Sequence, residues 1–283
     1  MKAWLVAPKN ELISQYVECY WFIKTYADDE HQLDQPKLNP DACGHLIITP
    51  EDQPYQFAVD EQTVTGSGSH WLFPYNHTYT LDHSRPTTML GIKFHAGALY
   101  SVNTSPNPVR INEISAVSFA ALIQQYHDDL NLDIDALLAQ GEFESQQCAA
   151  QLDSLILPWL QQANEDKHSA LIRKALALKP EVTIAQMGQH LHCSQRTLER
   201  SFLRVTGMTL KQCQSINKLD MLLTHLSKSQ QDKIDWSDVA LQFGFSDQPH
   251  LIRYLKSAIG NTPSEYVKQR DFVVDIYGDY ESS

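Results

Sequence analysis

The stretch that decides the fold is residues 183–207, which reads TIAQMGQHLHCSQRTLERSFLRVTG. Its first half places apolar residues three and four positions apart, at Ile184, Met187 and Leu191, which predicts an amphipathic helix. Ser194 follows a short turn, and serine favours the N-cap of a helix because its side chain accepts a hydrogen bond from a free backbone amide. The stretch therefore predicts a helix, a tight turn and a second helix.

The predicted second helix has an apolar side and a basic side. Leu198, Phe202 and Val205 form the side expected to be buried, and Gly207 ends the helix because glycine adopts the left-handed conformation without strain. The basic side carries arginines four residues apart: Arg196, Arg200 and Arg204. This is the plan of a helix-turn-helix unit that enters a DNA major groove, and a surface pair of helices with solvated arginines gives the same pattern.

The pattern occurs again in residues 236–260, which read WSDVALQFGFSDQPHLIRYLKSAIG. Ser246 corresponds to Ser194 as the predicted N-cap, and Gly260 corresponds to Gly207. The offset between the copies is 52 residues up to the serine and 53 after it, so the second turn holds one extra residue. A repeat of this kind favours two copies of one structural unit and strengthens the helix-turn-helix interpretation.

The residues between the copies, 210–227, predict one helix of about 27 Å at 1.5 Å per residue. Its apolar residues share one face: Ile216, Leu219, Leu223 and Leu226. A spacer of this length places two recognition helices about one turn of DNA apart, roughly 34 Å, on one face of the duplex.

Residues 169–270 resemble the DNA-binding domain of the AraC/XylS family of bacterial transcription regulators. In the first half, the similarity lies in the motif S-x-R-x-L-x-R-x-F and the glycine that follows it, within residues 194–207. In the second half, it lies in G-F-S-D-Q at residues 244–248 and in the motifs after it, R-Y-L-K and G-N-T-P-S-E-Y. The resemblance implies a bipartite DNA-binding domain with two helix-turn-helix units joined by a helix.

The net charge of −12 is unusual for a DNA-binding protein, but the charge is distributed unevenly. Residues 1–166 hold 7 Lys and Arg against 22 Asp and Glu, a net charge of −15, whereas residues 167–271 hold 15 against 9, a net charge of +6. Residues 272–283 add three acidic groups. The basic segment is the one with the repeat, which favours phosphate binding by this half and repulsion of DNA by the other.

The positions of the cysteines and the lengths of the apolar runs argue against a secreted protein and against a membrane protein. The five cysteines are scattered without a C-x-x-C pair, which argues against a zinc site or a disulfide framework and favours a reducing compartment. No run approaches the roughly 18 apolar residues of a membrane span, and the apolar run near the N-terminus stops at Pro8, too early for a secretion signal. We therefore expect a cytoplasmic protein with no membrane partner.

Residues 1–111 predict a β-rich domain. Short apolar or alternating runs, separated by Pro, Gly, Asn and Asp, lie at residues 17–22, 46–48, 55–59, 71–73, 79–81 and 89–94. This spacing predicts a small barrel or sandwich, and the Gly-Ser-Gly-Ser of residues 66–69 is interpreted as a turn. Residues 40–47 and 91–98 resemble the cupin-like N-terminal sensory domains of some AraC-type proteins through P-D-x-x-G-x-L-I and G-I-K-F-x-x-G-A.

Two kinds of side chain in this domain are candidates for a ligand or metal site. The aromatic residues predicted to line a ligand pocket are Tyr20, Trp21, Trp71, Phe73 and Phe94. Such residues also form ordinary core, so both interpretations stay open. The candidate metal ligands are His45, His70, His77, His83 and His95. Their spacing gives no H-x-H pair and no H-x-x-x-H pair with a suitable carboxylate, so we expect no metal, no cofactor and no catalytic residue.

Residues 112–163 change to helical periodicity, with a kink or break expected at Pro158. These helices either contact a second copy of the chain, as is common in the family, or pack on their own barrel. Residues 164–168 predict a linker, residues 169–271 the DNA-binding domain and residues 272–283 an acidic tail. The predicted fold class is α+β with two domains: a β-rich, cupin-like barrel or sandwich with following helices, and an all-α C-terminal domain.

The family resemblance and the predicted exposed faces place the DNA contacts. The residues predicted to read bases are Gln195, Arg196, Glu199 and Arg200 in the first unit and Gln248, His250 and Arg253 in the second. The residues assigned to phosphate are Arg204, Lys211 and Lys256. Because Pro249 and Ile252 offer no side-chain hydrogen bond, the first unit is predicted to dominate specificity. Glu199 has an alternative role, a same-helix ion pair with Arg196 or Arg200.

The sequence therefore predicts a sequence-specific transcription regulator that is not an enzyme. The partners expected are double-stranded DNA, a small-molecule effector, a second copy of the chain and RNA polymerase. Two alternatives stay open: an enzyme with metal-dependent cupin chemistry that carries a DNA-binding module, and a DNA-binding dimer that needs no ligand.

Overall fold

The computed structural model describes residues 1–27, 35–102, 109–178, 182, 184–228, 234–260 and 262–268. The predicted acidic tail, residues 272–283, lies outside the described residues. The described strands are β1 (Lys2–Val6), β2 (Val17–Lys24), β3 (Lys37–Leu38), β4 (Gly44–Ile48), β5 (Pro54–Val59), β6 (Gln62–Ser67), β7 (His70–Leu72), β8 (Tyr79–Leu81), β9 (Thr88–Phe94) and β10 (Ile114–Ala116).

The described helices fall into an N-terminal and a C-terminal set. The first set is α1 (Ala98–Val102), α2 (Phe119–Gln124), α3 (Ile134–Phe143) and α4 (Ser145–Leu160). The second set is α5 (Lys167–Leu176), α6 (Ile184–His190), α7 (Gln195–Thr206), α8 (Leu210–Lys228), α9 (Trp236–Gln242), α10 (Gln248–Ile259) and α11 (Pro263–Lys268). Among the described residues, no helix is long and apolar enough to cross a membrane.

The N-terminal strands form two antiparallel sheets, which confirms the prediction of a β-rich barrel or sandwich. The six-stranded sheet has the order β1-β2-β9-β4-β7-β10, and the four-stranded sheet has the order β3-β8-β5-β6. In the larger sheet Trp21 pairs with Gly91, and Leu46 pairs with Ile92. A side chain at Gly91 would meet the Trp21 ring at 1.8 Å, so this glycine makes room for the indole between the sheets.

Both faces of the six-stranded sheet are buried. Along β2, Cys19, Trp21 and Ile23 face the smaller sheet, whereas Tyr20 and Phe22 face the helices of the N-terminal half. Successive side chains of a strand point to opposite faces, and here each face has its own core. This double burial explains why the sequence of β2 is almost continuously apolar instead of alternating.

The structure differs from the sequence predictions at several places in this half. Four strands were not predicted, because their short or polar sequences show no recognisable strand pattern: β1, β3, β6 and β10. The interpretation of residues 66–69 as a turn was wrong for Gly66 and Ser67, which end β6, because pairing with β5 overrides the turn propensity of glycine and serine. The prediction of helix from residue 112 onward was wrong for β10, whose residues pair with β7.

Helices α2 to α4 cover the outer face of the six-stranded sheet. Leu152, Ile156 and Leu160 of α4 belong to the same buried cluster as Phe22 and Leu90 of the sheet. The apolar faces of these helices are therefore used by packing on their own barrel, so any contact with a second copy would need their other faces. Helix α4 continues through Pro158 and ends two residues later, at Leu160, so the helix is not broken at the proline itself, and a kink there stays a prediction.

The C-terminal region contains the two predicted helix-turn-helix units and the helix between them. Helix α8 serves both: Leu210, Cys213 and Ile216 lie in the core of the first unit, and Leu219 and Leu226 lie in the core of the second. The predicted spacer helix is confirmed, and at 19 residues it is about 28 Å long.

Candidate functional site

The first helix-turn-helix unit, α6 with α7, has the local structure that its sequence predicts. The Ser194 hydroxyl accepts a hydrogen bond from the Thr197 amide at 3.1 Å, and Gly207 ends α7 with a φ of 72°. The turn closes the end of α6, where the Cys193 amide donates to the Gly188 carbonyl at 2.9 Å. Both caps are confirmed, and they fix where the recognition helix begins and ends.

Helix α7 divides into the two predicted sides. Leu198, Phe202 and Val205 are at most 1% exposed. The four residues predicted to read bases are all exposed: Gln195, Arg196, Glu199 and Arg200. The Glu199 carboxylate accepts a hydrogen bond from the Gln195 amide at 2.8 Å, and in the described structure no arginine lies within ion-pairing distance of it. In the described structure, Glu199 is therefore hydrogen-bonded to the neutral side chain of Gln195, one helical turn earlier, and does not form the same-helix ion pair that was considered for it.

The second unit, α9 with α10, begins its recognition helix one residue later than predicted. The N-cap is Asp247, whose carboxylate accepts from the His250 amide at 2.7 Å. The prediction that Ser246 is the cap was wrong: its hydroxyl lies 3.2 Å from His250 Nδ1 instead. The extra residue in this turn moves the cap, and aspartate performs the function as well as serine.

Three predicted base-reading residues of the second unit are exposed: Gln248, His250 and Arg253. Pro249 occupies the first turn of α10, where a backbone amide is not needed, so it does not disturb the helix. Ile252 is half-buried. The accessible side chains of α10 therefore offer fewer hydrogen-bond donors than those of α7, and the Asp247 carboxylate adds a negative charge at its start.

The residues assigned to phosphate have different surroundings. Lys211 is exposed in the first turn of α8. Lys256 lines a groove of about 700 Å³ between α10 and the N-terminal domain. Arg204 donates from Nε to the Tyr100 hydroxyl at 2.9 Å, and a terminal nitrogen lies 3.7 Å from Asp166. Phosphate binding by Arg204 stays a prediction, and it requires the guanidinium to leave Tyr100.

The N-terminal domain contacts both units at the C-terminal ends of their recognition helices. At α7, a Cβ at Gly97 would lie 2.8 Å from Val205 Cγ1, which shows how closely the backbone at Gly97 approaches the Val205 side chain. At α10, Lys37 Nζ donates to the Ile259 carbonyl at 3.3 Å, and the Thr78 hydroxyl donates to the Ala258 carbonyl at 2.9 Å. These contacts leave the base-reading side chains uncovered.

The predicted linker is held in place by hydrogen bonds. The Asn164 amide donates to the Ser101 carbonyl at 2.9 Å. Asp166 caps α5 by accepting from the amides of His168 and Ser169, and it also accepts from the Tyr100 hydroxyl at 2.9 Å. Burial raises the pKa of Asp166, but these hydrogen bonds outweigh it and lower that pKa below its ordinary value. The carboxylate is therefore charged at neutral pH.

A cavity of about 1020 Å³ lies between the outer face of the six-stranded sheet, the helices α2 and α4, and the end of α7. We call it the junction cavity. Its apolar side is formed by Trp71, Phe73, Tyr126 and Trp159, and its other side includes Arg204. Because Trp71 points to the helical side of its strand, while its neighbours His70 and Leu72 point between the sheets, the cavity lies outside the barrel.

The predicted aromatic pocket is present only in part. Trp71 and Phe73 line the junction cavity, whereas the other three residues do not: Tyr20, Trp21 and Phe94. Phe94 lies beneath Trp71 as fully buried core, at 5.7 Å between ring centroids. Tyr20 and Trp21 are adjacent on β2, so they point to opposite faces and cannot line one pocket. Trp21 fills the space between the sheets.

The five candidate histidines lie apart in the N-terminal domain. His45 bonds to Asp41 and to Trp21, at 3.1 and 3.3 Å. Burial lowers the pKa of His70 and of His83 to about 4 each, so both are neutral at pH 7. Within the described residues, no group of three or more His, Cys, Asp or Glu side chains is arranged to hold a metal ion.

Asp41 belongs to a buried polar cluster rather than a metal site. Lys93, 7% exposed, lies 3.1 Å from Glu18 and 3.8 Å from Asp41. Burial would raise the pKa of Asp41, but the charge of Lys93 and the hydrogen bond from His45 hold it well below its ordinary value. One lysine is therefore shared by two carboxylates, so neither Lys93 nor Asp41 is buried without an opposite charge.

Comparison with known proteins agrees with this geometry. Residues 187–269 match the family model described as a helix-turn-helix domain, and residues 6–108 match a model described as a domain of unknown function, DUF6597. The first match covers most of both units and the helix between them.

The C-terminal region is an AraC-type helix-turn-helix domain. The chain is 26% identical over 155 residues to an uncharacterized HTH-type transcriptional regulator, YidL, of Escherichia coli K12. That similarity covers 52% of this chain and 51% of the relative, so the chain spans about half the length of the curated relative that it matches.

Two solved structures resemble the chain at low sequence identity. ToxT from Vibrio cholerae with a bound unsaturated fatty acid is 11% identical, with a TM-score of 0.45 over 88% of this chain and 95% of that chain. The AraC-like transcriptional activator CuxR is 10% identical, with a TM-score of 0.27 over 79% and 86%.

Sequence analysis missed the contacts between the AraC-type domain and the N-terminal domain. Tyr100 and Asp166 were not singled out, although Tyr100 accepts a hydrogen bond from Arg204 and Asp166 lies 3.7 Å from the same guanidinium. The one available signal was the sequence Asp166-Lys-His-Ser, which has the form of a helix N-cap. Nothing in the sequence links Tyr100 to an arginine 104 positions later.

Proposed function

We propose that this protein is a transcription regulator that binds specific DNA through both helix-turn-helix units. The observation that carries the proposal is the repeat: two recognition helices, each capped at its start and ended by a left-handed glycine, present exposed polar residues on the same helical positions. Exposed arginines in these positions are suited to guanine in the major groove.

The acidic N-terminal domain serves, in this proposal, as the sensory and assembly domain. Its contacts lie at the C-terminal ends of α7 and α10, so it leaves the DNA-reading face open and sets the position of one unit relative to the other. The partners we propose are double-stranded DNA, a small-molecule effector, a second copy of the chain and RNA polymerase.

A regulator is favoured over the alternative of a cupin-like metal-dependent enzyme. An enzyme of that kind needs ligands and a substrate space inside the barrel, and the Trp21 indole fills this space against Gly91. The ligand-independent dimer is less favoured because the junction cavity reaches α7 and gives a small molecule a place to act.

The test is selection of binding sites from random double-stranded DNA by the full-length protein, at one fixed moderate salt concentration. We expect a motif of two blocks about 10 base pairs apart, one for each recognition helix. The control is the protein with Arg196 and Arg200 both changed to Ala, which should lose one block and keep the other. Enrichment of a single block by the unaltered protein, or no enrichment at all, would contradict the bipartite function.

A further inference from the structure

The junction cavity has the size and the walls of a small-molecule site. Its volume of about 1020 Å³ lies at the upper end of the range of ligand pockets, roughly 300–1,000 Å³. Trp71 and Tyr126 are only half-buried, so their rings border the cavity instead of being enclosed by core. Trp159 lies between them, 6.2 Å from Trp71 and 6.4 Å from Tyr126 by ring centroids. A flat apolar molecule finds aromatic surface on this side.

The opposite side of the cavity carries two cationic side chains. Its lining includes two guanidinium groups, Arg110 and Arg204, and one carboxylate, Asp166. The Asp166 carboxylate already accepts from two backbone amides and from the Tyr100 hydroxyl. It lies 3.7 Å from the nearest nitrogen of Arg204, which is beyond hydrogen-bond length. A guanidinium has five donors, and Arg204 uses its Nε for Tyr100, so terminal donors remain for an anion.

Arg110 is placed to hold a flat ligand as well as a charge. Its guanidinium lies over the Phe73 ring at 5.2 Å from the centroid, and one terminal nitrogen contacts Glu113 at 3.2 Å. Phe73 belongs to the aromatic side of the cavity, so Arg110 lies where the apolar and the cationic sides meet.

We propose that the junction cavity binds a small amphiphilic carboxylate with a flat, preferably aromatic, body. The body lies against Trp71, Tyr126 and Trp159, and the carboxylate is held by Arg204 with the assistance of Arg110. Charge-assisted hydrogen bonds between guanidinium and carboxylate supply the preference for an anion. The site lies outside the barrel, on the side of the first helix-turn-helix unit.

Occupation of the cavity acts on the first unit because part of the wall belongs to α7. Arg204, Val205 and Thr206 form the last turn of that helix, and all three line the cavity. The second unit keeps its separate attachment through Lys37 and Thr78. A ligand that fills the cavity and contacts this last turn therefore changes the position of one recognition helix relative to the other. This regulatory part rests on the proposed DNA-binding function, whereas the binding site does not.

The binding site is tested by calorimetric titration of the full-length protein with 2-naphthoate and with its neutral counterpart, 2-naphthamide. We expect one saturable site per chain for 2-naphthoate, with at least about tenfold weaker binding of the amide, because a hydrogen bond to a charged group is the stronger one. No saturable binding of 2-naphthoate up to about 1 mM, or equal affinity for both probes, would overturn the proposal.

Variants locate the site within the molecule. Arg204→Gln should abolish the preference for the anion, and Arg204→Lys should restore part of it because lysine keeps the charge. Leu122→Trp, which places a large ring in the cavity, should abolish binding of both probes. Arg85→Gln is the control, since Arg85 is exposed and lies outside the cavity lining. Unchanged binding by both Arg204→Gln and Leu122→Trp would place the probe elsewhere and overturn the assignment.

The regulatory part is tested by repeating the DNA titration with saturating 2-naphthoate. We expect the affinity for the selected DNA to change, in either direction, by about fivefold or more, a common size of allosteric coupling. If 2-naphthoate binds and the DNA affinity does not change, the proposed coupling is wrong and the proposed binding site still stands. Probe binding by a protein that selects no DNA would overturn the proposed function instead, so the two failures are distinguishable.

Discussion

The two helix-turn-helix units have the same local plan but different surroundings. The core of the first unit is continuous with residues of the N-terminal half, among them Ala42, Tyr100 and Ile111. The core of the second unit consists, in the described chain, only of residues from Leu219 to Tyr266. The second unit instead meets the N-terminal domain through two backbone carbonyls of α10. The two units therefore share a sequence plan but differ in their contacts. The first unit shares its core with the N-terminal half, and the second is joined to the N-terminal domain by hydrogen bonds.

The difference is greatest at the glycines that end the recognition helices. Both are left-handed, with φ of 72° at Gly207 and 75° at Gly260. A Cβ at Gly207 would lie 2.6 Å from Ile111 Cγ2, whereas at Gly260 the nearest atom is the flexible Lys37 Nζ at 3.2 Å. We expect Gly207→Ala to lower the free energy of unfolding by about 2–4 kcal/mol and Gly260→Ala by about 1–2 kcal/mol.

Urea denaturation of the full-length protein measures both losses. Gly244→Ala is the matched control, because Gly244 has a φ of 69° and no neighbouring atom within 4 Å of an added Cβ. It should show the cost of the left-handed backbone alone. Equal losses for all three variants would mean that Ile111 moves aside at no cost, and that the first unit is no more tightly built in than the second.

The DNA-reading faces should differ in the same direction. Arg200→Ala should weaken specific binding by about 1–3 kcal/mol, and Arg253→Ala by less, because α7 offers more polar contacts to bases than α10. Fluorescence anisotropy titrations on the selected DNA at one fixed salt concentration measure this, with Arg85→Ala as a control outside both helices. Equal losses at the two arginines would show that the second unit reads DNA as strongly as the first.

The smallest expected effect concerns the two N-caps. Asp247→Asn keeps the cap, because asparagine accepts the same hydrogen bond, and removes a negative charge from the start of α10. Binding to any DNA sequence should tighten by about two- to fivefold at low salt. Ser194→Asp is the reciprocal change and should weaken binding by a similar factor. An increase that depends on the DNA sequence would show that Asp247 contacts a base.

Much of the C-terminal domain could be predicted because its determinants are local. The apolar spacing of Leu198, Phe202 and Val205 and the cap at Ser194 are relations between residues within one or two helical turns. The misplaced cap at Ser246 shows the limit of this reasoning. A one-residue insertion leaves two adjacent cap-forming residues, Ser246 and Asp247, and only the path of the turn chooses between them.

The N-terminal domain was predictable as a class and less so in detail. The strongly apolar β2 and β9 were recognised, whereas β1, β6 and β10 are short or polar and become strands because a neighbouring strand pairs with them. The ligand-pocket prediction failed for Tyr20, Trp21 and Phe94 because burial of an aromatic side chain does not tell which core contains it. Because successive side chains of a strand point to opposite faces, the adjacent residues Tyr20 and Trp21 could not belong to one pocket.

The sequence by itself determined that the chain carries two helix-turn-helix units joined by one helix, and which face of each recognition helix is polar. Periodicity, caps and a repeat encode these features in neighbouring residues. Only the tertiary structure decided that the N-terminal domain contacts the C-terminal ends of both recognition helices, and that Trp71, Trp159 and Arg204 enclose one cavity. Those residues are brought together by packing of distant segments, and no local pattern specifies which segments meet.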